Sequence, residues 1–353
     1  MISVRADAGR ILIGKQLLTQ TGKTCHALGF SGQCAIITDT NVAPLLADWV
    51  KESLKSAEFR PMLITIPAGE KSKTLKRASA ICDQMIVAGL DRTSFVLGLG
   101  GGMIGDISGF VAAIYHRGIP HVQIPTTLLA MVDSSIGGKT GVDTRAGKNL
   151  IGAFHQPLLV IDDLDVLKTL PRRQFNQGFA EIIKHAVIAD PKMFRMLHSG
   201  KADATPALQR LIKRNIQIKS RIVAKDERDR TGERAVLNFG HTVGHAIERA
   251  GNYRKFLHGE AVSLGIVAAC AISVKRAGMR PDQSTAIVDL LERFGLPTRL
   301  PPNFPRKKIF DAIKFDKKFE SGKVRFVVTP RIGTARITND VTLNDIREAV
   351  KQL

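Results

Sequence analysis

Ser94-Phe-Val-Leu-Gly-Leu99, followed by Gly100-Gly101-Gly102-Met103-Ile104-Gly105-Asp106, is the stretch on which the fold of this chain turns. The first part is an apolar run of strand length, and residues 103–114 carry helical apolar spacing. A strand, a glycine turn and a helix start make a phosphate cradle. Glycine lets the backbone approach an anion, and the unpaired N–H groups of the first helical turn face it. A purely steric turn uses glycine too, so the neighbouring segments matter. Pro125-Thr126-Thr127 follows the next apolar run. Asp133-Ser-Ser-Ile-Gly-Gly-Lys139-Thr-Gly and Gly147-Lys148-Asn149-Leu-Ile-Gly152 come close behind.

Working outward, apolar runs at 34–38, 62–66, 95–99, 121–124 and 159–161 alternate with helical spacing at 42–56 and 73–89. That alternation specifies an open, mainly parallel α/β sheet. Ligands of such sheets sit at the carboxyl ends of the strands. The residues to inspect are therefore Asp39 and Asn41, Gly69, Glu70 and Lys73, Gly102 to Asp106, and Thr126 and Thr127. From Pro171 the texture changes to helical patterns at 173–189, 205–225, 236–250, 259–277, 283–294 and 307–315. A hairpin at 323–337 turns at Arg331-Ile-Gly333, and a last helix spans 343–353. We expect an α/β domain over 1–170 and a mainly α-helical domain over 171–353.

With 353 residues, 44% of them hydrophobic, two cores are expected. Cys25, Cys34, Cys82 and Cys270 are widely spaced in apolar segments and read as buried thiols of a reducing compartment. The N-terminus lacks a signal pattern, and no apolar run is long enough to span a membrane, so a soluble cytoplasmic protein is expected. The formal net charge of +20 raises nucleic-acid binding. The basic stretches 210–234 and 306–325 interleave Asp226, Glu227, Asp229, Asp311, Asp316 and Glu320, however, and read as solvated faces plus cations that serve an anionic substrate.

The second half contains Arg234-Ala-Val-Leu-Asn238-Phe-Gly-His241-Thr-Val-Gly-His245, then His258-Gly-Glu260, and upstream Glu181-Ile-Ile-Lys184. On one continuous helix Arg234, Asn238, His241 and His245 form a single polar stripe. Such a stripe is costly to bury unless it meets a ligand. His258 opens a new helix that can fold back, and Glu181 sits in an apolar helix. Each alone suits a structural role, such as a Glu181–Lys184 pair. Together, one carboxylate and two imidazoles form a zinc-type set with open coordination positions.

The ordered motifs Val132-Asp-Ser-Ser-Ile-Gly-Gly-Lys-Thr-Gly, Gly147-Lys-Asn-Leu-Ile-Gly-Ala-Phe and Leu237-Asn-Phe-Gly-His-Thr-Val-Gly-His-Ala-Ile-Glu resemble the 3-dehydroquinate synthase family of sugar phosphate cyclases. The resemblance extends from Asp39 to Lys318. It implies a homodimer with a Rossmann-like NAD-binding domain and a helical domain, using NAD+ and a divalent metal, zinc or cobalt, in the cleft between them. Its substrate would be the sugar phosphate 3-deoxy-D-arabino-heptulosonate 7-phosphate, its products 3-dehydroquinate and phosphate. The implied course is oxidation by NAD+, β-elimination of phosphate, return of the hydride, ring opening and intramolecular aldol closure.

By that resemblance Asp39, Asn41, Gly69, Glu70, Lys73, Gly102, Met103, Ile104, Gly105 and Asp106 line the dinucleotide. Thr126, Thr127, Lys139, Lys148 and the segment Val166, Leu167, Lys168 and Thr169 join them. Glu181, His241 and His258 correspond to metal ligands. Asp133, Lys139, Asn149, Lys184, Lys219, Arg234, Asn238, His245 and one of Lys317 and Lys318 correspond to substrate contacts. Arg117 matches an arginine that reaches the phosphate across the dimer. His185, and one extra residue between Lys219 and Arg234, depart from the family pattern. The competing readings are another cyclase, such as a 2-deoxy-scyllo-inosose synthase, a metal-dependent polyol dehydrogenase that accumulates NADH, and a basic nucleic-acid-binding protein.

Overall fold

A computed structural model describes residues 1–6, 9–200, 205–314, 319–320 and 323–353. The chain forms two compact units, Met1–Pro171 and Arg172–Leu353.

The first unit is built on strands β1 (Ile2–Ala6), β2 (Gly9–Gly14), β3 (Gln33–Asp39), β4 (Arg60–Ile66), β5 (Phe95–Gly100), β6 (His121–Pro125), β7 (Lys139–Thr144), β8 (Gly147–Phe154) and β9 (Leu159–Asp163). Its helices are α1 (Thr21–His26), α2 (Asp48–Lys55), α3 (Leu75–Val87) and α4 (Gly102–Ile114). Seven strands make one sheet in the order β1-β2-β9-β6-β5-β3-β4, parallel except for the β1–β2 pair. Every residue of β5, β6 and β9 is buried, as expected of strands covered on both faces. Ile81 and Met85 of α3 and Ile104, Ile107 and Val111 of α4 pack over Ile37, Ile64 and Val96 of the sheet.

The β1–β2 hairpin, α1 and the separate β7–β8 hairpin were not expected. Gly147-Lys-Asn-Leu-Ile-Gly lacks the alternation that marks a half-buried strand, and β8 is largely exposed. The expected helix at 42–56 begins as a π-helical turn, Ala43–Ala47, before α2. The one expected from residue 73 starts instead at Leu75. Thr74 caps it by accepting from the Arg77 N–H, which leaves Lys73 on the preceding loop.

The second unit contains α5 (Arg172–Ala189), α6 (Pro191–His198), α7 (Thr205–Lys225), α8 (His241–Ala250), α9 (His258–Ala277), α10 (Pro281–Arg293), α11 (Arg306–Lys314) and α12 (Leu343–Gln352). A small sheet of β10 (Phe319–Glu320), β11 (Lys323–Arg331) and β12 (Thr334–Val341) completes it, and β11 turns into β12 through Gly333 at φ 92°. α6, also unexpected, starts on an Asp190 cap with Pro191 in its first turn.

One expectation fails here. Residues 236–250 are not one helix. Glu233–Asn238 is a 3-10 helix, Gly240 stands at φ 80°, and α8 begins only at His241. Arg234 and Asn238 therefore do not share a helical stripe with His241 and His245. Packing explains the break. A Cβ at Gly240 would lie 2.8 Å from the Ile266 side chain, and one at Gly265 would lie 1.9 Å from the Gly240 carbonyl oxygen. α8 and α9 thus approach to backbone contact, and only a left-handed glycine admits the chain there.

Candidate active site

In the first unit the predicted cofactor residues gather at the carboxyl ends of the parallel strands. Asp39 ends β3, and its Oδ1 accepts from the N–H groups of Asn41 (2.8 Å) and Val42 (3.1 Å), fixing the loop that presents exposed Asn41. After β4, Gly69 at φ 100° turns the chain into Glu70–Ser72 and Lys73. After β5, Gly101 caps α4 without any side-chain acceptor, so the first-turn amides of Gly102, Met103 and Ile104 are left for an anion. The glycines around them serve two purposes. Cβ atoms at Gly98, Gly100 and Gly105 would collide with Ser108, Ile104 and Gln123, so these three let α4 lie against β5 and β6. At Gly102 the neighbour is the Ser134 hydroxyl at 3.0 Å, and at Gly101 it is Thr127 at 3.2 Å.

Lys73 is the hub of this half. Its buried Nζ donates to Asp106 Oδ2 on α4 and to Asn149 Oδ1 on β8. Asn149 stands at φ 54°, and its N–H donates to Asp143 Oδ1 at 2.9 Å. The Asp143 N–H donates in turn to the Lys73 carbonyl, and Lys148 Nζ lies 3.2 Å from Glu70. Burial pushes the Asp106 carboxyl up to about 6, with Lys73 opposing. Asp143, which sequence reasoning missed, joins this cluster of candidate residues; its signal was only its place in the run between Lys139 and Lys148.

Thr126 is buried, and the Thr127 hydroxyl accepts from the Ala130 N–H. Asp133 lies in the π-helical turn Ala130–Ser134, and Lys139 opens β7, exposed. The 3-10 helix Leu164–Thr169 follows β9; Val166 and Leu167 are buried in it, Lys168 pairs with Asp165, and the Thr169 hydroxyl donates to the Val166 carbonyl. Arg117 sits away from these loops, exposed on a strained turn. His116, Arg117 and Gly118 all have positive φ (46°, 68° and 120°).

In the second unit Glu181 on α5 is fully buried. Neither of its carboxylate oxygens accepts a hydrogen bond, although Lys184 Nζ lies 2.5 Å from Oε2. Its Oε1 faces His241 Nε2 at 3.5 Å and His258 Nε2 at 3.8 Å. The three ligand atoms lie within 4.8 Å of one another. Burial alone would push the Glu181 carboxyl up, but Lys184, then His258 and His241, hold it well below the usual range. Burial, reinforced by Lys184, keeps His241 neutral. A buried carboxylate oxygen without a hydrogen bond, facing two imidazole nitrogens, is a donor set that suits a divalent cation. Both the metal reading and the Glu181–Lys184 pair are thus present in one constellation.

His245 lies exposed one turn after His241, with ring centroids 5.1 Å apart. Lys219 is buried on α7, one turn after Asn215, which accepts from His185 Nδ1 at 2.8 Å. Arg234 is buried, and its Nη1 donates to the Glu227 carbonyl. Asp226, expected on a solvated face, is instead buried. It accepts from the N–H groups of Arg230, Thr231 and Gly232, which overcome its burial and hold it at about 2. Asn238 lines a cavity of about 220 Å³ with Thr242, Arg230 and Arg325. Lys317 and Lys318 lie outside the described residues.

A parallel sheet with an uncapped glycine helix start, followed by a helical unit, is the fold shared with sugar phosphate cyclases. The fold matches 2-epi-5-epi-valiolone synthase from Streptomyces hygroscopicus subsp. jinggangensis, solved with NAD+ and Zn2+, at TM-score 0.87 and 27% identity, covering 100% of this chain and 98% of that one. It also matches 2-deoxy-scyllo-inosose synthase complexed with carbaglucose-6-phosphate, NAD+ and Co2+, at TM-score 0.90 and 24% identity, covering 99% and 100%. Within that class, residues 63–177 match the 3-dehydroquinate synthase N-terminal model and 178–319 the C-terminal one. The 3-dehydroquinate synthase of Symbiobacterium thermophilum is 44% identical over 350 residues, 97% of each chain. The chain belongs to the 3-dehydroquinate synthase family, and it is an enzyme of the phosphate-eliminating carbon–oxygen lyase type.

Proposed function

We propose that this chain converts 3-deoxy-D-arabino-heptulosonate 7-phosphate to 3-dehydroquinate and phosphate, with NAD+ and one divalent cation, zinc or cobalt, resident. The observation that carries the reading is the fully buried Glu181, whose Oε2 pairs with Lys184 while its Oε1 is faced by the Nε2 atoms of His241 and His258. When bound, the cation acidifies a substrate hydroxyl, and NAD+ takes and later returns one hydride, so no net NADH forms.

Glu181, His241 and His258 hold the cation. The first-turn amides of α4 receive the pyrophosphate. Lys73 and Lys148 supply positive charge there, and Asp39, Asn41, Gly69, Glu70, Asp106, Thr126, Thr127 and the segment from Val166 to Thr169 complete the cofactor contacts. Asp133, Lys139, Asn149, Lys184, Lys219, Arg234, Asn238, His245 and one of Lys317 and Lys318 take the substrate. Its carboxylate and phosphate call for cations that give charge-assisted hydrogen bonds, and a few of the lysines and arginines serve that purpose.

The reading includes a homodimer in the cytoplasm, in which Arg117 serves the partner's phosphate. It is supported by the strained turn that presents Arg117 and by Leu150 and Phe154 of β8, 58% and 48% exposed. No helix among the described residues is long and apolar enough to cross a membrane, and the four cysteines are free thiols. Stripping divalent metal with a chelator should abolish turnover, and zinc or cobalt should restore it. Full activity in chelator would remove the metal from the account.

A further inference from the structure

Two sets of ligand atoms overlap at His258. One is Glu181, His241 and His258; the other is His245, Glu248 and His258. Glu248 is buried on α8, two turns beyond His241, where a carboxylate needs a partner. Its Oε1 lies 3.4 Å from His258 Nδ1, while the opposite nitrogen of that ring, Nε2, faces Glu181. His241 repeats the arrangement. Its Nδ1 donates to the Phe239 carbonyl at 3.2 Å, and its Nε2 faces the same Glu181 oxygen. Each imidazole has an acceptor behind Nδ1 and turns Nε2 toward Glu181. That is how an acceptor behind a histidine fixes the tautomer and aim of a metal ligand.

We propose that Glu248 is the positioning residue of the metal centre, holding His258 in its Nδ1–H tautomer with Nε2 directed at Glu181, and that it is not itself a ligand. The inference rests on the metal reading of Glu181, His241 and His258.

Cobalt titration of the metal-free enzyme tests it, following visible absorption and affinity in the wild type and in Glu248→Gln, Glu248→Ala and Glu181→Gln. Glu248→Gln should bind Co2+ about tenfold more weakly and Glu248→Ala about a hundredfold, both with the wild-type spectral shape, because the ligands are unchanged. Glu181→Gln should lose the spectrum. Should Glu248→Gln fail to fold, Glu248→Asp, which keeps the carboxylate, should recover most of the affinity. Wild-type affinity in both Glu248 variants overturns the positioning role while leaving the metal site standing. A changed spectral shape in them makes Glu248 a ligand and equally overturns it. An unchanged Glu181→Gln titration would mean that the metal reading itself fails.

Discussion

Lys184 Nζ stands 2.5 Å from Glu181 Oε2, one turn apart on α5, with the two side chains 2% and 0% exposed. Pairs this deeply buried are costly to break from one side, because the charge left behind has no water to turn to. Lys184→Met should cost the metal-free enzyme about 3–5 kcal/mol in denaturant unfolding. Adding Glu181→Gln should recover most of that loss. A single variant as stable as wild type would mean that the carboxylate finds another partner.

The α/β unit was readable because its strands are continuous apolar runs and its glycine turn follows one of them directly. The clustering of Glu181, His241 and His258 was readable because these are the wrong residues for apolar helices. The helix break at Gly240 was not: spacing alone cannot tell that α9 comes close enough to demand a left-handed glycine, so Arg234 and Asn238 looked like helical partners of His241. The β7–β8 hairpin was hidden because β8 is exposed and unpatterned. Asp226 passed as a surface acid and Asp143 was not singled out, since their partners are backbone N–H groups that leave no mark in side-chain patterns. Glu248 did have a signal, at three residues past His245 and seven past His241, on one helical face.

The Lys73–Asp106 contact predicts a pH dependence. Burial raises the Asp106 carboxyl from 3.8 to about 6, so the folded protein holds this proton more tightly than the unfolded chain does. The stabilising contribution is complete below the unfolded value and is lost as pH rises through about 6, a difference of about 3 kcal/mol. Asp106→Asn should remove this part of the stability profile between pH 4 and 7. Lys73→Met should move the Asp106 carbon-13 titration higher still, since Lys73 opposes the rise. A midpoint near 4 in the wild type would contradict the assignment.

Asp345 behaves in the opposite sense. It is buried between α9 and α12, accepts from Arg276 Nε and Nη2 at 2.9 Å each, and accepts from the Thr342 cap. Burial pushes its carboxyl up, but Arg276, the Thr342 N–H and Lys275 together hold it well below the usual range. Its contribution is therefore present above pH 4 and lost as pH falls further. Asp345→Asn should cost about 2–4 kcal/mol at pH 7, and the gap to wild type should narrow in acid. A gap constant from pH 7 to 3 would argue against this pairing.

Arg117 offers a test of shared sites. Arg117→Ala and Glu181→Gln should each be inactive alone. Mixed and allowed to exchange subunits, they should recover about a quarter of wild-type activity, because half of the dimers then carry one intact site. No recovery after demonstrated exchange would place Arg117 in the service of its own subunit.

The central claim is that one active site oxidises, eliminates and re-reduces without consuming its cofactor. The direct measurement supplies 3-deoxy-D-arabino-heptulosonate 7-phosphate with catalytic NAD+ and zinc, and follows phosphate, 3-dehydroquinate and NADH together. Phosphate and 3-dehydroquinate should appear in equal amounts with no accumulation of NADH. Phosphate that stays on the sugar, or NADH that builds up with product, would contradict the account.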